Sequence, residues 1–276
     1  MKEFKSYLKT VGGNEGDKCN YPTRLDTYGC GCAHDCKYCY AKSLLDFRKL
    51  WNPESPSVAD FKKVLAKVPK LQGITRLGGM TDCFQPCESK YKVTHLLLQA
   101  LRAYKKPYLI VTKSPLVASD EYMEVLDKSL AHIQITVTST DADVIKRYEK
   151  APEPEARIAA IEKLDAAGFD VCTRVSPFVS EWIDKDRINA IKCNKLLVEF
   201  LRVNTWIKRW MEDVDFSAYT LKQSGYRHLP LETKIEMMKG FDKEITVCED
   251  VDEHHKYWHD NVNPNKDDCC NLRVIE

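Results

Sequence analysis

The feature that most restricts the fold is an alternation of segment types running from about residue 70 to residue 205. Five apolar runs, GITRLGG, PYLIVTK, HIQITVTS, FDVCTRVSPF and KLLVEFLRV, read as strands, although the length of the last also permits a helix. Between them KVTHLLLQALRAY, SDEYMEVLDKSL (opening on a Ser119 cap), PEARIAAIEKLDAAG and DKDRINAIK carry helical spacing. Helices of this length permit right-handed crossovers, which make consecutive strands parallel. The expected architecture is therefore α/β, with a parallel sheet that is open or curled into a partial barrel. Chemistry in such sheets collects at the carboxyl ends of the strands. The residues just past the strands are then the candidates: Gly78, Gly79, Met80, Thr81 and Asp82; Thr112, Lys113 and Ser114; Thr138, Ser139 and Thr140; Arg174, Val175 and Ser176. Each group alone reads as an ordinary capping loop, but four in register on one face point to a site.

Flanking segments extend this unit. A candidate first strand covers about residues 24–28. Leu44, Leu45 and Leu50 suggest a helix stopping near Asn52 and Pro53, and Phe61, Val64, Leu65 and Val68 suggest another. From about Asn204 the chain is richer in aromatic and polar residues. A helix over 231–239, a strand over 244–248 and a helix over 252–260 are expected there. The division is an N-terminal extension over 1–23, a barrel over 24–205 and a C-terminal extension over 206–276 packed on the barrel.

Composition excludes several classes. With 42 basic and 41 acidic residues the net charge is +1, so no global field drives binding to a polyanion, although a local basic groove needs none. The start MKEFKSYLKT has no apolar signal core, and no run approaches the ~18 apolar residues of a membrane span, so a cytoplasmic protein is expected. Twelve cysteines in a chain of this kind favour metal ligation over a disulfide framework.

Four of those cysteines fall in YGCGCAHDCKYCYAK, where Cys32, Cys36 and Cys39 have the spacing C-x3-C-x2-C. A structural zinc takes four protein ligands, and Cys30 or His34 could complete such a set. Three thiolates could instead hold three irons of a cubane cluster, leaving the fourth open to a chelating molecule; clusters otherwise take four cysteines. Spacing alone leaves both readings open.

CAHDCKYCY resembles the signature of the radical S-adenosylmethionine enzymes, with Tyr38 as the aromatic before the last cysteine. Together with GGMTDCFQPCE, VTKS and EKAPEPEARIAAIEKLDAAGFDVCTRVSPF it is most similar to the spore photoproduct lyase-like branch, over roughly residues 24–205. The resemblance implies a partial (β/α)6 barrel, with Cys32, Cys36 and Cys39 ligating a [4Fe–4S] cluster and S-adenosylmethionine on its open iron. It places Gly78, Gly79, Thr81 and Asp82 at the methionine end of the cofactor. Lys113 pairs with the cofactor's carboxylate, Ser139 bonds the same end, Tyr38 and Tyr40 lie towards the adenine, and Arg174 is a further contact. A zwitterionic amino acid needs a cation for its carboxylate and acceptors for its ammonium. A flavodoxin- or ferredoxin-like electron donor is implied, and the substrate is a nucleobase or nucleic-acid lesion, by resemblance to the lyase, or another molecule. One departure stands out: the lyase proper has a hydrogen-donating cysteine before a serine in the loop after its second strand, where LGGMTDCF has glycine and methionine. The resemblance thus carries the mechanism further than the substrate.

Cys83 is one thiol candidate for that missing donor. Cys248, Cys269 and Cys270 are others, or the ligands of an auxiliary cluster, or packing residues in a lid. Cys30 is read as a bystander, Cys87 and Cys172 as packing residues, and Cys19 and Cys193 carry no spacing signal. His255 and His259 share a helical face but lack the glutamate of a zinc motif, so a solvated face is expected; NTWIKRWMED and AYKKPY are likewise read as exposed surface. The functional alternatives are a radical S-adenosylmethionine enzyme and a non-enzymatic zinc- or iron–sulfur-binding module.

Overall fold

In the computed structural model, which describes residues 4–274, eight strands form one sheet in strict chain order. They are β1 (Leu8–Thr10), β2 (Thr23–Leu25), β3 (Thr75–Leu77), β4 (Tyr108–Thr112), β5 (Ala131–Thr136), β6 (Asp170–Phe178), β7 (Lys195–Phe200) and β8 (Glu244–Val247). Only β1 runs antiparallel, with Leu8 opposite Leu25; every later neighbour is parallel. The sheet does not close, since β1 and β8 are its two edges. This is the expected α/β partial barrel, with a strand from each flanking segment added to its edges. Among the described residues no helix is long and apolar enough to cross a membrane.

Alternation within the strands sorts two environments. Leu77, Tyr108, Ile110, Ile133, Ile135, Val175, Leu196 and Val198 face the helical layer and belong to the main core. The opposite face carries Leu109, Cys172 and Leu197, which pack with Cys269 and Cys270. The segment after residue 267 therefore plugs the interior. It is tied there by Lys195 Nζ donating to the Asn271 carbonyl at 2.7 Å and by the Arg273 amide donating to Asp170 at 2.9 Å.

Two expected local features differ. The helix α1 (Tyr40–Asp46) ends well before Asn52 because Lys49 adopts φ 53°, and Leu44 and Leu50 are 49% and 42% exposed rather than a buried stripe. Ser119 occupies an N-cap position but makes no side-chain capping bond; its hydroxyl is buried without a partner. The helices α2 (Ala142–Tyr148) and α3 (Pro154–Ala166) follow β5, and α3 ends, as its glycine suggested, at Gly168 with φ +83°.

Candidate active site at the carboxyl ends of the strands

A cavity of about 240 Å³ opens at the mouth of the sheet. Its wall contains Cys32, Cys36 and Cys39, the aromatic rings of Tyr38 and Tyr40, the loop Gly79–Asp82, Lys113 and Arg174; Cys248, Cys269 and Cys270 line it as well. Gly78, Ser139, Cys83 and Cys30 are not on that wall.

The thiol loop is shaped by its own backbone. The Asp35 amide donates to the Cys32 carbonyl at 3.0 Å with Asp35 at φ 41°, and the Cys39 amide donates to the Cys36 carbonyl at 3.2 Å. Cys39 then caps α1, its sulfur accepting from the Lys42 amide at 3.4 Å. Burial pushes all three thiols above their ordinary value. The neighbouring Asp82 and Glu149 carboxylates add to this at Cys32 and Cys36, whereas helix-start amides oppose it at Cys39. Metal binding must then release their protons. Buried sulfur donors on one cavity wall fit a thiophilic centre, and the nearby Lys113 charge offsets part of the thiolate charge. Cys30, in a left-handed conformation (φ 56°), packs against the main core and does not line the cavity with that donor set. His34 lines the cavity with its Nε2 3.1 Å from Asp82 and its Nδ1 without a partner.

The loop after β3 is held by two buried carboxylates. Asp26 Oδ1 accepts from the amides of Gly79, Met80 and Thr81 at 2.8, 2.9 and 3.1 Å. Asp82 accepts from the Thr112 hydroxyl at 2.8 Å, the Phe84 amide at 2.8 Å and the Lys113 amide at 2.7 Å. Burial pushes the Asp82 carboxyl up, but His34 and these amides outweigh it and hold it below its ordinary value. Its oxygens are thus committed to fastening β3 to β4. Gly78 provides the turn: at φ +90°, an added Cβ would lie 2.8 Å from the Val111 carbonyl oxygen. Thr81 donates its hydroxyl to the Tyr28 carbonyl at 2.7 Å, and Tyr40 donates to the Gly79 carbonyl.

Lys113 stands 5.5 Å over the Tyr38 ring, and among the described residues no carboxylate pairs with it. Burial lowers its ammonium from the ordinary value. Ser139, by contrast, is fully buried and its hydroxyl is used within the protein, donating to the Trp182 carbonyl at 2.6 Å and accepting from the Asp141 amide at 2.9 Å. Arg174 donates to Gln134 at 2.8 Å and pairs with Glu199, which also accepts from Ser176 at 2.9 Å. Burial pushes the Glu199 carboxyl up, but Arg174, Arg202 and Ser176 prevail and bring it down to about 2.

Several site residues escaped the sequence reading. Arg24 and Arg76 sit side by side on β2 and β3, in two copies of the tripeptide TRL. They line the cavity with Glu199 and Arg202. A charged residue interrupting an apolar strand was the available signal. Arg24 pairs with Glu15 at 2.7 Å and Arg202 with Asp250 at 2.8 Å, while Arg76 has no carboxylate partner among the described residues and its Nε is unsatisfied. Behind the thiols, Glu149 and Arg157 form an ion pair at 0% exposure, and the Cys36 sulfur lies 3.7 Å from Glu149.

Of the thiol candidates, Cys83 is buried and donates to the Leu25 carbonyl at 3.6 Å, away from the cavity. The Cys270 thiol is the one drawn below its ordinary value, by a hydrogen bond from Cys269 against burial, with Arg174 and Arg76 contributing. His255 and His259 stack at 4.1 Å on the last helix, outside the cavity.

The Radical SAM superfamily model matches residues 27–193. The uncharacterized protein Rv2578c of Mycobacterium tuberculosis is 27% identical over 166 residues, 56% of this chain and 49% of that protein. The uncharacterized protein MJ0683 of Methanocaldococcus jannaschii is 27% identical over 165 residues, 57% and 61% of the two chains. The chain thus spans about half the length of the mycobacterial relative. Among solved structures, spore photoproduct lyase complexed with dinucleoside spore photoproduct superposes with a TM-score of 0.62 at 19% identity, over 88% of this chain and 79% of that one. Streptococcus suis SuiB bound to S-adenosylmethionine gives 0.52 at 12% identity, over 83% and 51%. These two likenesses establish the fold. The family match spans more than half of the sequence, including the loop that puts three thiols on the cavity wall, and the chain therefore belongs to the radical SAM superfamily.

Proposed function

We propose that the protein is a radical S-adenosylmethionine enzyme whose [4Fe–4S] cluster is held by Cys32, Cys36 and Cys39. The observation that carries this reading is the shared cavity: three thiols, of Cys32, Cys36 and Cys39, and the Lys113 ammonium, which pairs with no carboxylate among the described residues, line one volume. The chemistry such a cluster supplies when bound is one-electron reductive cleavage of the sulfonium to methionine and a 5′-deoxyadenosyl radical, which takes hydrogen from a substrate. The chain's own residues bind and orient. Lys113 receives the carboxylate of S-adenosylmethionine, and Tyr38 and Tyr40 flank its adenosine. Asp26 and Asp82 act one step back, fixing the Gly79–Asp82 loop. The barrel over 24–205 carries this machinery, and the extensions 1–23 and 206–276 complete its edges and floor.

The substrate class is a nucleobase or nucleic-acid lesion, supported by the likeness to a lyase seen with a dinucleoside photoproduct and by the Arg76 guanidinium on the cavity wall, which pairs directly with no carboxylate among the described residues and suits a phosphate. A flavodoxin- or ferredoxin-like donor supplies the electron in the cytoplasm. Protein purified anaerobically and reconstituted with iron and sulfide should be brown, and dithionite should release 5′-deoxyadenosine from S-adenosylmethionine. Alanine at Cys32, Cys36 and Cys39 should abolish that release. Wild-type protein with a full cluster that yields no 5′-deoxyadenosine would rule the reading out. Deuterated dinucleotides that pass no label to 5′-deoxyadenosine would rule out the substrate class alone.

A further inference from the structure

We propose that Cys19, Cys248, Cys269 and Cys270 form a second, separate thiolate metal site in the floor of the cavity. None of the four belongs to the C-x3-C-x2-C loop, so the proposal goes beyond the function proposed above. All four line the cavity. They come from three places in the chain: the segment before β2, the residue just past β8, and the plug that fills the interior. The Cys269 and Cys270 sulfurs and an Asp268 carboxylate oxygen all lie within 4.8 Å of one another and are buried. The Cys269 thiol also lies in hydrogen-bonding contact with Cys248.

The segment that carries Cys19, which lines the same cavity, is held against the plug by the two residues that follow it. Asn20 donates its side-chain amide to the Asp267 carbonyl, and Tyr21 donates its hydroxyl to Asp268 Oδ2 at 2.7 Å. Asp268 in turn shapes the thiol turn, its Oδ1 accepting from the Cys270 amide at 2.9 Å and its Oδ2 from the Leu272 amide at 3.1 Å. The carboxylate thus ties the segment after Cys19 to the turn that presents Cys269 and Cys270.

Simple packing accounts for other cysteines but not for these. Cys193 is a small buried hydrophobe whose thiol donates to the carbonyls of Val171 and Lys195, and Cys172 donates to the Thr173 carbonyl. Cys248, Cys269 and Cys270 instead meet one another beside a carboxylate, with the Arg174 and Arg76 guanidiniums close enough to act on Cys270 and Arg174 on Cys248. Those two cations offset the charge that four thiolates would bring. Hard cations prefer oxygen ligands, so a sulfur set selects a thiophilic centre, either a zinc ion or an iron–sulfur cluster.

The test uses the full chain carrying Cys32→Ala, Cys36→Ala and Cys39→Ala, which leaves the floor intact. One anaerobic sample is loaded with ferrous iron and sulfide, another with zinc alone, and each is desalted before its metal is measured. Retention of about half the wild-type iron with charge-transfer absorbance identifies a cluster, and about one zinc per chain identifies a single ion. Either supports the proposal; a triple variant that holds neither metal overturns it. Cobalt(II) titration of the triple variant, with Cys19→Ser or Cys248→Ser added singly, provides a readout from mild substitutions. Thiolate-to-cobalt absorbance should drop by about a quarter for each lost ligand, and unchanged absorbance in both variants overturns the four-thiol assignment. Failure of the Cys32, Cys36 and Cys39 site would appear in the wild type as lost S-adenosylmethionine cleavage and would leave the triple-variant result unchanged.

Discussion

Replacing Arg157 by Met tests whether the wall behind the thiols is held by a buried ion pair. Arg157 comes from α3 and is fully buried against Glu149, also fully buried; its Nε donates to the Pro152 carbonyl at 2.7 Å and its Nη1 to the Thr136 carbonyl at 3.2 Å. Methionine keeps much of the volume but supplies no charge and no donor. Removing one partner of a buried pair costs about 3–5 kcal/mol, because the remaining charge has neither water nor a counterion. Thr138, 3.3 Å from Glu149, gives that carboxylate partial support, so a loss of about 4 kcal/mol is expected. In urea that is a midpoint shift of about 1.5 M, for a slope near the upper end of the usual range. The pH dependence identifies the cause. Burial already raises the Glu149 carboxyl above its ordinary 4.5, opposed by Arg157. A raised carboxyl contributes stability that is present below its unfolded value and lost as pH rises through the folded value. Without Arg157 the folded value rises further, so the gap between variant and wild type should widen from pH 4.5 towards neutrality and narrow below it. Adding Glu149→Gln should recover a large part of the loss. Urea unfolding followed by circular dichroism at pH 4.5 and 7.5 measures all three. A loss below about 1 kcal/mol, a gap equal at the two pH values, or a double variant no better than the single one would refute the reasoning.

Glu199, lowered to about 2 mainly by Arg174 and Arg202 acting against burial, contributes stability present above its unfolded value of 4.5 and lost as pH falls towards 2. Across that window wild type should lose up to about 3 kcal/mol more than Glu199→Gln does, as acid titration of both by circular dichroism will show. Lys113→Met should weaken S-adenosylmethionine binding by about tenfold or more, the loss of one charge-assisted contact. Its iron content should stay unchanged, with equilibrium dialysis as the measurement. Gly78→Ala should destabilise by about 2 kcal/mol or more, since the added Cβ meets the Val111 carbonyl oxygen at 2.8 Å in a left-handed backbone; thermal unfolding reads this directly.

What could be read from the sequence depended on how local the determining interaction is. Strands β4 to β7 were legible because each is an apolar run bounded by helices, so its partners hardly matter to its recognition. β1 was not, since three residues, Leu8 to Thr10, become a strand only by pairing with Thr23–Leu25. The strand ending near Cys248 was expected from its own residues, but its place in the main sheet comes from the Ile245–Leu196 register, 49 residues apart. The leucines at 44, 45 and 50 misled because apolar spacing predicts a buried stripe only where something packs over it. The thiol triad was legible because one loop holds all three. Asp26, Glu149 and Arg157 were not, because Asp26 acts on amides 53 to 55 residues away and the Glu149–Arg157 pair meets Cys36 only across the fold.

The interior of this sheet is an unfavourable place for charge, and the placement of its arginines bears on function. An apolar interior would be at least as stable, because desolvation consumes most of what a buried ion pair gains. Arg24, Arg174 and Arg202 are each compensated, by Glu15, Glu199 and Asp250. Stability therefore does not explain why guanidiniums and not aliphatic side chains fill the strand ends. Arg76 departs from that pattern in one respect: among the described residues no carboxylate pairs with it directly, and Glu199 acts on it only through space. A cation left in this condition is best compensated by a ligand that brings its own negative charge. Lys113, over Tyr38, likewise pairs directly with no carboxylate among the described residues. Two cations without a directly paired carboxylate line one cavity, which suits the reading proposed above, with the carboxylate of S-adenosylmethionine at Lys113 and an anionic group of the substrate at Arg76.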